Sequence, residues 1–305
     1  MKNNPIEINT KKTAQPIIVI GGGVAGMTCA LQLQRCRMEP LLLETRELGG
    51  LLWNANLVEN YPGFPNGVRG EKLIGLMKKQ MERIGVEAKR EEVIRADWRA
   101  GHFEVVTQRA AYHADRLVVA TGTRPRPLPE YVAPGARGRV FSEVWPLAGA
   151  AGRQVVIVGA GDAAFDYALN LAKKGNFVTI LNRGETVKCL PLLFERAARE
   201  PRIAYRAGVA VSEVKVDESA ARLEVGSDAG MFAAEYVLFA IGRVPNVDFL
   251  SEEIRRRGKE LAAAGRLYFI GDVKNDLFRQ VAIAAGDGLR AAMEIYSHIG
   301  HEEKR

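Results

Sequence analysis

The chain has 305 residues, of which 47% are hydrophobic, enough for about two domains with full cores. Its formal charge of +7 is spread along the chain, and no nucleic-acid recognition motif accompanies it. No apolar run reaches the ~20 residues of a bilayer span. Residues 1–13 are polar, lack the apolar core of a signal peptide and predict a flexible tail. We therefore expect a cytoplasmic protein that binds neither nucleic acid nor membrane.

The first chemical motif begins near residue 17. A strand-like run leads into Gly21-x-Gly23-x-x-Gly26, and a helical pattern follows at once. This order predicts a strand, a tight turn and a helix N-terminus, where unpaired N–H groups hold a pyrophosphate. A second strand ends in Glu44, 18 residues after Gly26, where a carboxylate can accept hydrogen bonds from ribose hydroxyls. The pattern predicts a dinucleotide site.

The next stretch predicts a long ordered loop from Gly49 to Gly67, because it is rich in Gly, Pro, Asn and aromatic residues. An amphipathic helix is expected over 70–84, followed by short strands that end at Thr121-Gly122. Prolines and glycines are frequent over 124–139, which predicts a linker.

The opening pattern then returns. A strand over 155–158 leads into Gly159-x-Gly161-x-x-Ala164 and another helix, which predicts a second dinucleotide site. At the position of Glu44, this second repeat has Asn182 followed by Arg183.

An arginine can pair with a 2′-phosphate that a carboxylate would repel. Arg183, with Lys188 five residues later, therefore favours NADP(H) over NAD(H) at the second site. The alternative for Arg183 is an ordinary solvated loop residue. A second linker is predicted over 242–246, and the last helix begins near Arg279 and contains Gly286 and Gly288. These two glycines predict a close approach by backbone or cofactor.

The three cysteines, Cys29, Cys36 and Cys189, form no CxxC pair. Cys29 and Cys36 are two helical turns apart, about 10 Å, which is beyond disulfide reach. We expect neither a structural disulfide nor a metal site, and we interpret the cysteines as small buried apolar residues.

Taken together, these motifs resemble the low-molecular-weight thioredoxin reductase family of flavoproteins over nearly the whole chain. The matching segments are Gly21–Gly26, Gly49-Gly50, Val58–Gly63, Ala120–Gly122, Gly159–Gly161, Ala240–Asn246, Gly271–Val273 and Arg279-Gln280. The resemblance implies an α/β fold of two Rossmann-like, three-layer ββα domains. The NAD(P)H domain, residues 140–241, is inserted into an FAD domain of residues 14–123 and 244–305, with linkers at 124–139 and 242–246. A homodimer is implied by the resemblance alone.

The resemblance also implies cofactor contacts, with FAD in the first domain and NADP, or NAD as the alternative, in the second. Gly271-Asp272 would hold the ribityl chain and a phosphate-bridging water, although Asp272 could be only a turn cap. The helix N-terminus near Arg279 would lie at the flavin pyrimidine edge and stabilise its negative charge. The implied FAD contacts are Gly21, Gly23, Ala25, Gly26, Glu44, Gly50, Leu52, Asn60, Thr121, Gly122, Gly271, Asp272, Arg279, Gln280 and Val281. The implied NAD(P)H contacts are Gly159, Gly161, Asp162, Ala163, Arg183, Lys188, Gly242 and Arg243.

One departure changes the predicted function. The family carries a redox disulfide just before its second glycine loop, whereas residues 141–147 here, the replacement segment, read FSEVWPL. Without two neighbouring sulfurs, a thiol relay to thioredoxin is excluded. Related ferredoxin–NADP⁺ reductases also lack the disulfide and pass electrons from the flavin to a carrier protein. The sequence therefore predicts an FAD-dependent NAD(P)H oxidoreductase that reduces a carrier such as ferredoxin, with no catalytic side chain.

Two alternatives remain at this stage. A single cysteine, Cys29, could reduce a low-molecular-weight disulfide, because it lies one turn into the predicted FAD helix. Alternatively, the protein could be a flavin-binding redox module with a decayed NAD(P)H site, because Asn182 and Gly184 interrupt the basic run that the family has there.

Overall fold

A computed structural model describes residues 13–217, 219 and 222–302. The predicted tail lies outside these residues, apart from Thr13, which begins the first strand. The chain forms two compact units. Within the described residues, unit 1 holds residues 13–53, Leu57–Arg124 and 244–302, and unit 2 holds Asn54–Asn56 and Pro125–Arg243. Residues 125–139, predicted as linker, are thus part of unit 2.

The helices of the described residues include the predicted helix after the loop at 49–67, which ends one residue earlier than expected. They are α1 (Val24–Arg35), α2 (Gly70–Arg83), α3 (Asp162–Lys173), α4 (Pro191–Arg199), α5 (Glu252–Ala263) and α6 (Val281–Glu302).

The strands of the described residues fall into separate sheets in the two units. They are β1 (Thr13–Ile20), β2 (Leu41–Glu44), β3 (Ala88–Arg90), β4 (Val93–Arg99), β5 (His102–Thr107), β6 (Ala111–Val119), β7 (Thr123–Pro125), β8 (Val140–Phe141), β9 (Gln154–Val158), β10 (Phe177–Leu181), β11 (Ile203–Arg206), β12 (Val211–Asp217), β13 (Arg222–Ser227), β14 (Gly230–Ala234), β15 (Tyr236–Phe239), β16 (Arg243–Pro245) and β17 (Leu267–Phe269).

Unit 1 is built on a sheet in the order β3-β2-β1-β6-β5-β4. Strands β3, β2, β1 and β6 are parallel, while β5 runs antiparallel to β6 and β4 antiparallel to β5. The second half of β6 pairs in parallel with β17, which returns late in the chain. The centre of the parallel part, residues 17–20, 41–43 and 117–119, is apolar on both faces, as expected for a sheet that helices cover.

Unit 2 has a parallel sheet in the order β11-β10-β9-β15-β8 and a separate antiparallel sheet, β12-β13-β14. Helix α3 and the parallel sheet enclose one buried apolar cluster. A second buried cluster joins the parallel sheet to the antiparallel one. These two clusters give unit 2 the layers β, β and α.

The glycine loops of both units follow the first strand of a parallel β-α-β unit. Such a loop lies at the carboxyl edge of the sheet, where this class of fold binds its ligands. The two segments that cross between the units contain β7 and β16, which pair with each other. Among the described helices, none has the length and apolarity needed to cross a bilayer.

Candidate nucleotide sites

The first glycine loop is closed by its neighbours on both sides. Gly21 has a φ of +105°, and a side chain there would overlap the carbonyl of Ala120. Its N–H donates to Leu43 O at 2.8 Å, which ties the turn to the end of β2. A methyl group at Gly26 would overlap the carbonyl oxygen of Gly21. Helix α1 can therefore start this close to β1 only with glycine at that position.

The carboxylate of Glu44 is held at the mouth of this loop. The N–H of Gly22 donates to its Oε2 at 2.6 Å, and the N–H of Arg46 donates to its Oε1 at 2.9 Å. A cavity of about 280 Å³ lies beside it, wide enough to hold part of a nucleoside. The cavity is lined by Glu44, Arg46, Glu47, Leu48, Lys78, Met81, Glu82, Val86, Ala88 and Arg90. This is where the adenosine end of a dinucleotide lies in such folds.

The segment after β2 returns to the glycine loop. The N–H of Gly49 donates to Gly22 O at 2.8 Å. A side chain on Gly50 would come within 3.0 Å of Gly23 Cα, so this backbone lies directly over the loop. Leu52 is only 4% exposed, and it fixes the segment rather than presenting a side chain to solvent.

Asn60 and Gln280 meet although 220 residues separate them in sequence: Asn60 Nδ2 donates to Gln280 Oε1 at 2.8 Å. Next to them, the buried Nε of Arg279 has no hydrogen-bond partner among the described residues. A buried unpaired donor is costly, and a bound acceptor would satisfy it. Val281 follows as the first residue of α6, so the N-terminus of this helix lies beside Arg279 and Gln280.

Residues that follow β6 and a residue that follows β16 complete this edge of unit 1. Thr121 Oγ1 donates to the carbonyl of Asn246 at 2.6 Å, and the N–H of Asn246 donates to Gly122 O at 3.0 Å. The proton of the Thr121 hydroxyl is therefore already engaged, which leaves its oxygen as an acceptor and the backbone of this segment to contact a ligand.

The Gly271-Asp272 turn lies against the glycine-loop helix. A side chain on Gly271 would come within 2.8 Å of Ala25 Cβ on α1. Gly271 is buried, while Asp272 is partly exposed. The structure thus brings a turn from late in the chain next to the first helix. This proximity is needed if one ligand is to contact both.

Sequence reasoning missed Asp287 of α6, which holds this turn in place. Its Oδ2 accepts from Gly271 N–H at 3.0 Å and from Asn275 Nδ2 at 2.6 Å, and its Oδ1 lies 3.1 Å from Lys274 Nζ. The only sequence signal was its position between two glycines of the last helix.

The second glycine loop repeats the geometry of the first. Gly159 has a φ of +124°, a side chain there would overlap the carbonyl of Ala240, and its N–H donates to Leu181 O at 2.9 Å. Gly161 is the N-cap of α3, and Ala163 is exposed in the first turn of that helix. The free N–H groups of that turn form an anion site.

Lys188 is brought directly to this turn. Its N–H donates to Ala160 O at 3.2 Å, and its backbone pairs with Gly161. The carboxylate of Asp162 accepts from Leu190 N–H at 2.8 Å and fixes the same segment. Two predicted contacts, Gly161 and Lys188, therefore lie together, with the lysine side chain exposed to solvent.

Asn182 is a structural residue rather than a ligand contact. Its Oδ1 accepts from Gly184 N–H at 3.1 Å, and its Nδ2 donates to Thr186 O at 3.0 Å and to Tyr205 OH at 2.9 Å. These bonds turn the amide inward and shape the loop, which leaves Arg183 exposed at the end of β10.

The replacement segment is held by polar contacts within unit 2. Trp145 Nε1 donates to Glu143 at 3.0 Å, and Asn54 Oδ1 accepts the backbone N–H of Trp145 and of the residue before it at 3.1 Å. Arg243, predicted as a cofactor contact after Gly242, pairs with Glu143 at 2.9 Å. Its charge is thus partly neutralised within the protein.

The structure makes neither Cys29 nor Cys189 a reactive thiol. Cys29 is fully buried in α1, and burial raises its pKa to about 12. The pKa of Cys189 is also raised, first by burial and then by the nearby carboxylate of Asp162. A thiolate is the reactive species, so both thiols are unreactive at neutral pH. Among the described residues, no cluster of His, Cys, Asp and Glu could hold a metal ion.

A carboxylate on α3 is also perturbed. Burial raises the pKa of Asp166 to about 6, although the N–H of Asn56 donates to its Oδ2 at 3.0 Å and favours the charged form.

Comparison with known proteins decides the family. The family model for pyridine nucleotide-disulphide oxidoreductases matches residues 15–288. The chain belongs to this family. Among curated relatives, the thioredoxin reductase of Chlamydia pneumoniae is 27% identical over 93% of this chain and 98% of its own length. That of Streptomyces coelicolor is 29% identical, over 91% of this chain and 92% of its own length.

The fold comparison agrees. The crystal structure of Lactococcus lactis thioredoxin reductase has a TM-score of 0.82 and 26% identity, and it covers 94% of this chain and 99% of that one. The predicted resemblance to low-molecular-weight thioredoxin reductases and the α/β fold with two Rossmann-like domains are therefore confirmed.

The predicted cofactors are confirmed at the level of the family, whose thioredoxin reductase members use FAD and NADPH. The residues of this chain fit them. Unit 1 offers a tight glycine loop, a cavity beside Glu44 and the unpaired Nε of Arg279. Unit 2 offers a second glycine loop with an exposed Arg183 and Lys188.

Proposed function

We propose that this pyridine nucleotide-disulphide oxidoreductase homologue takes electrons from NADPH through FAD and passes them directly to a carrier protein such as ferredoxin. The supporting observation is the replacement segment. Where the resemblance places a redox disulfide, Trp145 and Glu143 form a hydrogen-bonded and ion-paired surface without sulfur. A dithiol relay has no second sulfur to use there.

When bound, the flavin supplies the hydride and electron chemistry, and the chain supplies binding and orientation. In unit 1, the N-terminus of α6 and the guanidinium of Arg279 would stabilise negative charge on the cofactor. The Asn60–Gln280 hydrogen bond fixes the loop beside them. No side chain is assigned as an acid or base in the transfer.

Arg183 and Lys188 support a preference for NADPH over NADH, because both are cations exposed near the second glycine loop. We further propose a homodimer in the cytoplasm. The net charge of +7 would favour encounter with an acidic carrier protein.

The test is anaerobic mixing of the FAD-loaded protein with NADPH, followed by an acceptor screen with ferredoxin, flavodoxin, quinones, thioredoxin and small disulfides. We expect rapid loss of flavin absorbance with NADPH and turnover with a one-electron carrier. Turnover with thioredoxin alone would overturn the proposed acceptor. A flavin that neither NADPH nor NADH bleaches would overturn the whole proposal.

A disulfide substrate is the second candidate, because the curated relatives described above carry the name thioredoxin reductase. Cys29 is a poor choice for such chemistry, since it is buried with a pKa near 12. The third candidate, a decayed NAD(P)H site, is countered by the assembled loop around Gly161 and Lys188. Measured affinities for NADPH and NADH separate it from the first.

A further inference from the structure

The basic run that the family carries after the second strand of unit 2 is interrupted in this chain. Asn182 turns inward and Gly184 has no side chain, so Arg183 is the one charged residue of the run over 182–184. A phosphate group offers three strong acceptor oxygens, more than one arginine satisfies. The neighbouring strand β11 has a second arginine at the same edge of the sheet.

This second arginine is Arg206, the last residue of β11. It pairs in register with Leu181, the last residue of β10, and the N–H of Asn182 donates to Arg206 O at 2.9 Å. Neighbouring strands are only about 4.8 Å apart. Arg206 and Arg183 therefore lie at the ends of adjacent strands, on the carboxyl edge that also carries the glycine loop.

The two arginines lie on the same face of the sheet. Residues paired across strands share a face, as do residues two apart along an extended chain. Leu181 is buried in the cluster that joins the parallel sheet to the antiparallel one, so its partner Arg206 lies on that face. Asn182 bonds Tyr205 on the opposite face. This alternation returns Arg183 to the face of Leu181.

Tyr131 locates the Arg183 guanidinium independently. Its ring packs against the same buried cluster, with its centroid 6.2 Å from that of Phe239. Burial raises the pKa of the Tyr131 hydroxyl, and the nearby charge of Arg183 opposes this shift. The guanidinium therefore lies near this hydroxyl, on the face of the sheet that Arg206 shares.

The protein does not neutralise either charge. Both arginines are exposed, and neither has a carboxylate partner among the described residues. By contrast, Arg202, just before β11, lies 3.7 Å from a carboxylate oxygen of Glu200. Two cations on adjacent strand ends repel each other, and an anion between them would remove that repulsion.

We propose that Arg206 binds the 2′-phosphate of NADPH together with Arg183, so that each of two adjacent strands contributes one cation. In this class of fold, the ribose that carries the 2′-phosphate lies at the end of the second strand, here β10. A phosphate there would pair with both guanidinium groups. The charge that is missing from the run over 182–184 is thus supplied from β11. This inference rests on the NADPH preference in the proposed function and adds a residue that determines it.

The test is calorimetric titration of the FAD-loaded protein with adenosine 2′,5′-bisphosphate, which needs no turnover. Arg206→Ala should raise the Kd for this ligand by about fivefold or more, because one charge-assisted contact is lost, and should leave the Kd for AMP unchanged within about twofold. The matched control is Arg202→Ala, which removes an arginine at the other end of the same strand and should change neither Kd. Thermal unfolding shows that both variants fold.

The double variant Arg183→Ala/Arg206→Ala should bind the bisphosphate no more tightly than AMP. If Arg206→Ala behaves like Arg202→Ala while Arg183→Ala weakens the bisphosphate, the role of Arg206 is overturned and the NADPH preference stands. Equal losses for both ligands would show that Arg206 shapes the loop without binding the phosphate, and would overturn the proposal. A wild type that binds the two ligands equally would overturn the NADPH preference as well. Flavin reduction by NADPH or NADH reports separately on the enzyme.

Discussion

The two glycine loops share one backbone design and differ in the charge at its end. In each, the N–H of the first glycine donates to a carbonyl at the end of the neighbouring strand, Leu43 O in β2 or Leu181 O in β10. Glu44 and Asn182 therefore occupy equivalent positions. Glu44 keeps a carboxylate at the mouth of the first loop, whereas Asn182 turns inward and leaves Arg183 exposed.

In the proposed function, the same local fold selects a different nucleotide in each unit. The tight turn and helix N-terminus of either unit have the geometry that binds a pyrophosphate in such folds. The end of the second strand would decide which ribose is accepted, because a carboxylate such as Glu44 repels a 2′-phosphate and an arginine such as Arg183 attracts it. Selectivity thus depends on a few side chains, while phosphate binding depends on the backbone.

The two loops also differ in how closely the following helix approaches the glycine turn. Gly26→Ala, in the first loop, should therefore have the largest effect. Its methyl group would overlap the carbonyl of Gly21, so we expect a loss of about 3 kcal/mol in the free energy of unfolding. The equivalent residue of the second loop is already alanine. Ala164→Gly is the matched control and should cost no more than about 1 kcal/mol. Chemical denaturation of both variants measures the difference, and equal losses would contradict this reading.

Gly23→Ala should leave folding intact but reduce cofactor binding. A Cβ there meets only Gly50 Cα, at 3.9 Å, so the apoprotein tolerates it. The methyl group would occupy the place of the pyrophosphate, and the Kd for FAD should rise by about tenfold or more. Fluorescence titration with FAD checks this, alongside thermal unfolding of the apoprotein. Unchanged affinity would place the pyrophosphate elsewhere.

Arg183→Ala should raise the KM for NADPH by about tenfold and leave the KM for NADH nearly unchanged, because it removes one charge-assisted contact to the 2′-phosphate. Arg202→Ala is the control: this exposed arginine precedes β11, at the opposite end of the parallel sheet. Steady-state kinetics with both nucleotides separate the two. Equal changes for NADPH and NADH would show that Arg183 does not read the phosphate.

The smallest effect concerns Asp166, which stands on α3 where α1 has Thr28. The folded-state pKa of about 6 lies above the ordinary value of 3.8, so its stabilising contribution is lost as the pH rises through about 6. Asp166→Asn keeps an acceptor for Asn56 and removes the charge. We expect it to stabilise the protein by about 1 kcal/mol at pH 7.5 and less at pH 4.5. Thermal unfolding at both pH values tests this, and a pH-independent difference would refute it.

Much of the fold followed from local patterns. The glycine loops, their strands and the final helix could be predicted because glycine spacing and apolar runs are local signals. Contacts between distant segments could not. Asp287 looked like an ordinary helix residue, yet it holds the Gly271 turn through hydrogen bonds that only the tertiary structure reveals.

Side-chain direction was equally hidden. The position of Cys29, one turn into α1, predicts a place near the flavin, but the structure buries this side chain completely. Likewise, the amphipathic pattern over 70–84 does not reveal that α2 buries Ile74 and leaves Leu76 43% exposed. A helical period gives the face only to within about one residue, and packing against neighbours decides the rest.

The central claim is that the flavin delivers its electrons outward without a disulfide. Counting reducing equivalents in an anaerobic titration with NADPH tests it most directly. We predict complete loss of flavin absorbance after about one NADPH per FAD, because the flavin accepts two electrons and no dithiol shares them. A requirement for about two NADPH per FAD, abolished when the protein is first reduced and its cysteines are then alkylated, would reveal a hidden redox disulfide and contradict the account.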